Sequence, residues 1–371
     1  MKANSGGDLP QRSRNAGRPA PKGYCRKCIL RLHTVPHNRE GICVYCQEPL
    51  PETWDHRKDE FIQDVRRYAN QGTQDWDIAC PLTGGKDSIF AIYALTRYVP
   101  GSRVLAYTWD HGFDTKQSWE NIEQAVRATK VEHKVWQIGD NRADARRVAV
   151  EMHRLFGAPC AICSQMPLAQ MKMAVESGTP LTVLASTRVQ NGVVVKDGIA
   201  KPAGAHPDEV KNYIWGAFFL TAPFLSGDLK RALPDKAERI LADLEQPFKK
   251  TLKDKKPNPL HFMQLGYYFD WNRNEHGVMK HLRDELGFVK PVELMTHTSC
   301  ELARLRGYRE FSGLLNDPRH PFEPQHDIPG QMEFETADVV RSGTISREQG
   351  FRELELHGIV DTPPEDTIAY Y

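Results

Sequence analysis

The chain has 371 residues, of which 26% are charged, and its formal net charge is +1. This length is enough for two or three domains, and the near-neutral charge demands neither a nucleic-acid nor a membrane partner. The longest apolar run, IWGAFFLTAPFL from Ile214, is much shorter than a membrane span. Because the N-terminus lacks the apolar core of a secretory signal, we expect a cytoplasmic protein whose eight cysteines bind metal or do chemistry and do not form disulfides.

The first 22 residues are rich in Gly, Pro, Ser and basic side chains and hold almost nothing that could be buried. This composition predicts a disordered basic tail. Five of the residues are Lys or Arg against one Asp. Contact with RNA is one interpretation of that charge, and a solvated tail is the other.

Two C-x2-C pairs, separated by fourteen residues, follow in the stretch YCRKCILRLHTVPHNREGICVYCQ. Each pair can form a tight turn whose backbone NH groups point at thiolate sulfur, and two such turns complete a tetrahedral structural zinc site. The predicted zinc ligands are Cys25, Cys28, Cys43 and Cys46. A closed site leaves no position for a reactive water, so the zinc is expected to hold a small ribbon together. Four free surface thiols are the alternative.

A second C-x2-C pair, Cys160 and Cys163, lies in FGAPCAICSQ, and Cys300 stands alone in HTSCELARL. Such a pair can be a redox pair, a persulfide site or two ligands of an iron–sulfur cluster, to which Cys300 would add a third. A buried, small apolar residue is the other interpretation of Cys300. Cys80 is predicted to be part of the core of a strand.

The stretch CPLTGGKDSIFAIYAL places two glycines between a strand pattern and a helix pattern. Glycines let the backbone approach an anion closely, and a helix N-terminus presents unpaired NH groups and partial positive charge. Thr83 and Ser88 can add hydroxyl donors, and Lys86 adds a full charge. Asp87 can orient the loop or help to hold Mg²⁺. The stretch therefore predicts a phosphate-binding loop, although it fits neither G-x4-G-K-[ST] nor G-x-G-x-x-G.

Strand and helix patterns alternate after this loop. RVLAYTWDHG, VEHKVWQIG and PLTVLAST are predicted strands, and TKQSWENIEQAVRAT is a predicted helix. This alternation favours an α/β fold with a doubly wound parallel sheet, in which ligands gather at the carboxyl ends of the strands. Asp110 and Ser186 stand at such ends and are predicted site residues. Asn121 either contacts the site or is an ordinary residue of its helix.

The loop from Gly84 to Ser88 resembles the PP-loop (N-type ATP pyrophosphatase) superfamily, whose signature is Ser-Gly-Gly-x-Asp-Ser. This chain has Thr83 in place of the first Ser. The resemblance implies a Rossmann-like parallel sheet of the PP-loop (HUP) type, cleavage of ATP to AMP and pyrophosphate, and an adenylated intermediate. It also implies catalytic roles for Lys86 and Asp87 near Mg²⁺. The implied ATP-binding residues are Thr83, Gly84, Gly85, Lys86, Asp87, Ser88, Asp110 and Ser186.

A narrower resemblance is to the N-acetyl sugar amidotransferase family, which is associated with surface-polysaccharide biosynthesis. The similar features are the cysteine ribbon with Gly41, the glycine loop, Pro-Cys-x-x-Cys from Pro159, LGYYFDWN from Leu265 and SGTISREQG from Ser342. They run from about Cys25 to Glu355. After its last predicted strand the chain departs from that family, with ASTRVQNG where the family has Gly-Glu. Other acceptors, such as a nucleoside or a natural-product intermediate, therefore stay open.

The resemblance implies adenylation of an acceptor oxygen followed by nitrogen transfer, with ammonia supplied by a glutaminase partner and a small-molecule acceptor such as a sugar nucleotide. The alternative is ATP-dependent sulfur transfer to tRNA or a small molecule, using a [4Fe-4S] cluster or a persulfide at Cys160, Cys163 and Cys300. A tRNA substrate would favour a basic surface, and outside the tail only KKTLKDKK from Lys249 has that character. A non-catalytic zinc-ribbon binding module is the third hypothesis.

Helical patterns dominate from about Leu229, as in LKRALPDKAERILADLEQ and EHGVMKHLRDELGF. They suggest a region that closes over the site or contacts a partner. The predicted organisation is a disordered basic tail (1–22), a zinc ribbon (23–50), a helical linker (51–75), a PP-loop ATP-binding α/β domain (76–228) and a mainly α-helical C-terminal region (229–371).

Overall fold

The computed structural model describes residues 23–33, 35–156, 166–187, 226–227, 229–253, 261–290, 299–300 and 331–356. The basic tail, the pair Cys160 and Cys163, and the run IWGAFFLTAPFL lie outside these residues. The predictions made for them stay predictions.

A five-stranded parallel sheet lies at the centre of the fold, with the strand order β3-β2-β1-β4-β5. The strands are β1 (Ile78–Pro81), β2 (Val104–Asp110), β3 (Glu132–Gln137), β4 (Leu181–Leu184) and β5 (His261–Gln264). Ile78 of β1 pairs with Val104 on one side and with Leu181 on the other. The strand order therefore changes direction at β1, and ligands of such sheets bind at the carboxyl ends of the strands next to this point.

Helices surround the sheet, and the predicted fold class is confirmed. They are α1 (Val44–Gln47), α2 (Lys58–Arg66), α3 (Lys86–Tyr98), α4 (Lys116–Thr129), α5 (Arg142–Phe156), α6 (Met166–Ser177), α7 (Ala237–Lys253), α8 (Leu265–Tyr268), α9 (Glu275–Leu286), α10 (Gln331–Arg341) and α11 (Arg347–Leu356), with a 3-10 helix at Trp271–Asn274. Within the described ranges, none of them is both long and apolar enough to cross a membrane.

Helix α3 is apolar over most of its circumference, and residues 88–95 are all buried. A helix with this pattern must be covered on all sides. The sheet covers one side, and α4 and α9 cover the others. The helix that follows the glycine loop is therefore enclosed by the sheet and by two helices, which holds the loop at its N-terminus in place.

Two elements pack in ways that the sequence patterns did not indicate. Strand β5 lies in the range predicted to be mainly helical, and its pairing with β4 makes four residues into a strand. Helix α2, in the predicted linker, buries Phe61 and Val65 in the main core. The Tyr268 hydroxyl donates a hydrogen bond of 2.8 Å to Asp64 of the same helix.

The N-terminal cysteine ribbon, residues 23–50, packs against the helical hairpin formed by α10 and α11. Both contribute to one apolar cluster that is separate from the main core. Tyr45 of the ribbon makes an edge-to-face contact with Phe334 of α10, and Tyr24 makes one with Phe351 of α11. The two ends of the described chain are thus brought together in a single small core.

Candidate nucleotide and metal sites

The glycine loop connects β1 to α3 and passes very close to the N-terminus of α4. Gly84 has a φ of +72°, and a Cβ at this position would lie 2.0 Å from the carbonyl oxygen of Ser118. Only glycine combines the left-handed backbone with this close approach. The sequence TGG therefore places the loop against α4 with no side chain between them.

Two hydroxyls close the loop from inside, Thr83 Oγ1 and Ser88 Oγ, which lie 3.1 Å apart. Ser88 Oγ accepts a hydrogen bond from the backbone N of Thr83 (3.0 Å) and donates one to the carbonyl of Gly85 (3.1 Å). Gly85 is the N-cap of α3 and carries no side chain that could cap the first turn. The helix N-terminus therefore keeps the NH groups and partial positive charge that attract an anion.

The buried Lys86 and the partly buried Asp87 form a charged pair in the first turn of α3. Lys86 Nζ lies 2.5 Å from Asp87 Oδ1 and 3.0 Å from Asn272 Oδ1. Trp271 Nε1 donates to the same Asp87 oxygen over 2.7 Å. The lysine is only 3% exposed. Its ammonium group is therefore bonded both by the next residue in the chain and by Asn272, which is far away in the sequence.

Asn121 braces the loop from α4. Its Nδ2 donates to the carbonyl oxygens of Gly84 (2.9 Å) and Val289 (2.7 Å), and its Oδ1 accepts from Val289 N (2.9 Å). The side chain is buried. Of the two interpretations of Asn121, the structure favours contact with the site, because the amide fixes the direction of the Gly84 peptide.

Asp110 lies at the carboxyl end of β2, as predicted, and shapes the turn that follows. Its Oδ1 accepts from the backbone N of Gly112 (2.8 Å), and Arg142 Nε lies 3.8 Å from the same oxygen. Among the described residues, no group of three or more acidic or histidine side chains lies close enough to hold an ion. Asp87 and Asp110 could therefore bind Mg²⁺ only together with other ligands, such as phosphate oxygens.

Ser186 and Cys300 also lie near the carboxyl edge of the sheet. Ser186 follows β4, and its carbonyl accepts from Gly266 N over 3.0 Å. Cys300 forms an isolated antiparallel bridge with Asp114, beyond the end of β2. The carbonyl of Ser299, the preceding residue, accepts a 2.9 Å hydrogen bond from Ser118 Oγ. Ser118 is also the residue that approaches Gly84, so Cys300 follows a residue bonded to the neighbour of the glycine loop.

The four N-terminal cysteines come together as predicted. Their sulfur atoms all lie within 4.8 Å of one another, and all four side chains are buried. Cys28 Sγ and Cys43 Sγ are 3.6 Å apart, close to the roughly 3.8 Å expected between sulfurs of a tetrahedral zinc site. A hydrogen bond with Cys28 and others with the neighbouring thiols lower the pKa of the Cys25 thiol. Four thiols in this arrangement fit one tetrahedral metal ion.

Trp271 and Asn272 are the site residues that sequence analysis missed. They lie in LGYYFDWN, a block used there only for its likeness to a family. Their polar atoms contact residues 86 and 87, which lie more than 180 positions away in the sequence. A polar pair after a short apolar segment was the available signal, but it does not name a partner.

No protein-family model and no curated protein matches the chain. Solved structures to which it is similar include the U34-tRNA thiolase NcsA from Methanococcus maripaludis with its [4Fe-4S] cluster. That similarity covers 90% of this chain and 89% of that one, with 16% identity and a TM-score of 0.35.

Two further structures are synthetases. For the glutamine-dependent NAD+ synthetase from Acinetobacter baumannii in complex with ADP, the identity is 17% and the TM-score 0.29, over 38% of this chain and 27% of that one. The other is the NH3-dependent NAD synthetase from Campylobacter jejuni in complex with the nitrate ion. Its identity is 12% and its TM-score 0.29, and the similarity covers 55% of this chain and 96% of that one. At these low TM-scores the likenesses assign no activity to this chain.

Proposed function

We propose that the chain is an ATP pyrophosphatase of the PP-loop type, which adenylates an oxygen atom of an acceptor. One observation carries this proposal: Gly84 brings the loop against α4, Asn121 fixes its peptide, and the loop ends in an uncapped helix N-terminus. This arrangement supports a phosphate site at the switch point of the parallel sheet, where such sheets bind the phosphates of nucleotides.

The proposed reaction assigns a task to each loop residue. The acceptor oxygen attacks the α-phosphorus of ATP, the bond from that phosphorus to the α,β-bridging oxygen breaks, and pyrophosphate leaves. The loop NH groups and Lys86 stabilise the charge that grows on the leaving pyrophosphate. Mg²⁺ would neutralise phosphate charge, and Asp87 and Asp110 are the residues proposed to hold it.

Nitrogen transfer is the proposed second step. Ammonia attacks the activated carbon of the acceptor, and the bond from that carbon to the adenylated oxygen breaks, so that AMP leaves. The resemblance of the sequence blocks to N-acetyl sugar amidotransferases supports an N-acetyl sugar or a related biosynthetic intermediate as the acceptor. We propose that a glutaminase partner supplies the ammonia.

Sulfur transfer is the second candidate, and the position of Cys300 favours it. This cysteine is attached through Ser299 to Ser118 and therefore lies near the glycine loop. Its proximity to the loop is what supports a role for this thiol as a sulfur donor. Cys160 and Cys163 lie outside the described residues, so their part in such a site is a proposal.

The four-cysteine site is proposed to bind structural zinc. The supporting observations are four buried thiols, sulfur atoms within 4.8 Å of one another, and packing against α10 and α11. Zinc bound by four thiolates has no open position, so its role would be to hold residues 23–50 together.

Product analysis tests the adenylation step. The purified protein is incubated with ATP, Mg²⁺, an ammonium salt and candidate acceptors, and nucleotides are separated by anion-exchange chromatography. We expect AMP and pyrophosphate, and a Lys86→Met variant that is at least tenfold slower. The matched control is Lys172→Met, which removes another buried lysine that pairs with a carboxylate, Glu176 on α6. Formation of ADP and phosphate would overturn the proposal.

Metal analysis after purification without oxygen separates the two nucleophiles. About one zinc per chain and no iron supports nitrogen transfer. About one zinc with roughly four irons, acid-labile sulfide and a broad visible absorbance supports sulfur transfer. In the second case, loss of iron in a Cys160→Ala or Cys300→Ala variant, with zinc retained, would place the cluster.

A further inference from the structure

We infer that the cysteine ribbon and the glycine loop are coupled through Asn272, which acts as a positioning residue for Lys86. The inference rests on the proposed function, because it gives the ribbon a role in the geometry of the nucleotide site. It follows from a series of hydrogen bonds, joined to one another through short stretches of the chain, that links the cysteine turns to the first turn of α3.

The first part of the series joins the ribbon to the hairpin of α10 and α11. Arg347 Nε of α11 donates to the carbonyl oxygens of Cys25 (3.1 Å) and Cys28 (2.7 Å). Arg341 of α10 donates over 2.6 Å to the carbonyl of Tyr45, which lies between the two cysteines of the second pair. Each cysteine turn is therefore bound by one arginine of the hairpin, and these carbonyls keep their positions only while the turns are intact.

The second part joins the hairpin to the 3-10 helix. The turn between α10 and α11 holds Ser342 and Thr344, and Thr344 Oγ1 donates to the carbonyl oxygen of Asn272. Ser342 Oγ lies 3.5 Å from the same oxygen and 3.0 Å from Thr344 Oγ1. The backbone of Asn272 is thus held from the side of the hairpin.

The third part joins the 3-10 helix to the loop. Asn272 Oδ1 accepts from Lys86 Nζ over 3.0 Å, and the assignment of oxygen is secure because an ammonium group only donates. Trp271 beside it donates to Asp87. Asn272 is 3% exposed, as is Lys86, so water does not replace a lost contact easily.

The consequence concerns the direction of the Lys86 ammonium. Asp87 and Asn272 each bind it, and removal of the Asn272 oxygen takes away one of the contacts that fix the direction of this flexible side chain. A charge displaced by about 1 Å can cost about a hundredfold in rate. Because Lys86 is proposed to act on charge that develops during the reaction, this loss falls on kcat and not on KM.

Kinetics of matched variants test the positioning role. We expect Asn272→Ala to lower kcat for pyrophosphate release about 10- to 100-fold, with KM for ATP changed less than about threefold. Asn272→Asp keeps the oxygen that accepts from Lys86 and is expected to restore most of kcat. Thr344→Val is expected to lower kcat about three- to tenfold. The control is Thr129→Val, which removes a hydroxyl bonded to a helix carbonyl at the far end of α4.

Hydrogen exchange tests the coupling without any measurement of activity. Amide exchange in peptides covering residues 84–89 and 271–274 is compared between the metal-loaded protein, the protein after zinc chelation, and Thr344→Val. Faster exchange in both peptides after chelation and in Thr344→Val supports the coupling. The coupling is overturned if both peptides exchange at wild-type rates after chelation and in Thr344→Val. It is also overturned if Asn272→Ala has the same kcat as the wild type.

Failure of the proposed function is distinguishable from failure of this inference. If the wild-type protein forms no AMP and pyrophosphate, the proposed function is wrong, while the exchange experiment still tests the coupling. If the wild type is active but Asn272→Ala and Asn272→Asp are equally slow, the proposed function stands and the positioning role is wrong, because the accepting oxygen then makes no difference.

Discussion

The replacement of Gly84 by alanine is the sharpest test of the loop geometry. Alanine at this position would have two separate energetic costs. Its φ of +72° is a left-handed conformation, which costs an L-residue about 1–2 kcal/mol. In addition, the new Cβ would lie 2.0 Å from Ser118 O, whereas real Cβ atoms essentially never approach closer than 3.0 Å. The loop and the N-terminus of α4 must therefore separate by about 1 Å.

The chain offers a control that carries only the first cost. Gly101 has a φ of +85°, and a Cβ there would meet nothing within 4 Å. We expect Gly101→Ala to lose about 1 kcal/mol in the free energy of unfolding, with normal catalysis. Gly84→Ala is expected to lose at least as much stability, and the displaced loop should lower kcat/KM about a hundredfold, or about 2.7 kcal/mol of transition-state stabilisation.

The assay has two measurements on each variant. Chemical denaturation gives the free energy of unfolding, and steady-state release of pyrophosphate gives kcat/KM for ATP under conditions where the protein is folded. A folded Gly84→Ala variant with kcat/KM within threefold of the wild type would refute the reasoning. So would a Gly101→Ala variant that loses activity to the same degree, because backbone strain alone would then explain both.

Three further predictions follow from the same contacts. Asn121→Ala should lower the free energy of unfolding by about 2 kcal/mol and slow pyrophosphate release, because the buried carbonyl of Gly84 and the backbone of Val289 lose the amide that bonds to them; denaturation and kinetics measure both. Cys28→Ser should lose zinc and lower Tm, whereas Cys80→Ala should keep its zinc, since Cys80 is a strand-core residue whose pKa burial raises to about 12; elemental analysis decides. Burial alone would raise the pKa of the Asp77 carboxyl, but hydrogen bonds from Arg103 and from the backbone of Gly72 and Asn70 together outweigh burial and hold the pKa below its usual range, so the carboxylate stabilises the fold above the unfolded pKa of about 3.9. Asp77→Asn should therefore unfold at a lower temperature than the wild type at neutral pH, and this difference should shrink as the pH falls below about 4.

Sequence patterns alone predicted the features that depend on neighbours in the chain. The C-x2-C pairs form two turns because the residues that shape each turn lie within four positions. The glycine loop is recognisable because Gly84, Gly85 and Ser88 determine its backbone locally, between a strand and a helix that their own patterns reveal. The order of the first four strands, and the helices after β1 and β2, follow from the same short-range periodicity.

Tertiary structure decided the features that depend on which surfaces remain to be buried. HFMQ becomes a strand only because β4 offers an unpaired edge. The helix of the predicted linker packs into the core because Phe61 meets Tyr268 and Phe269 from the other half of the chain. Asn272 reaches Lys86 across 186 positions, and Arg347 reaches the first cysteine turn across more than 300. No local pattern encodes such pairs, because a polar side chain in the sequence does not name its partner until the chain has folded.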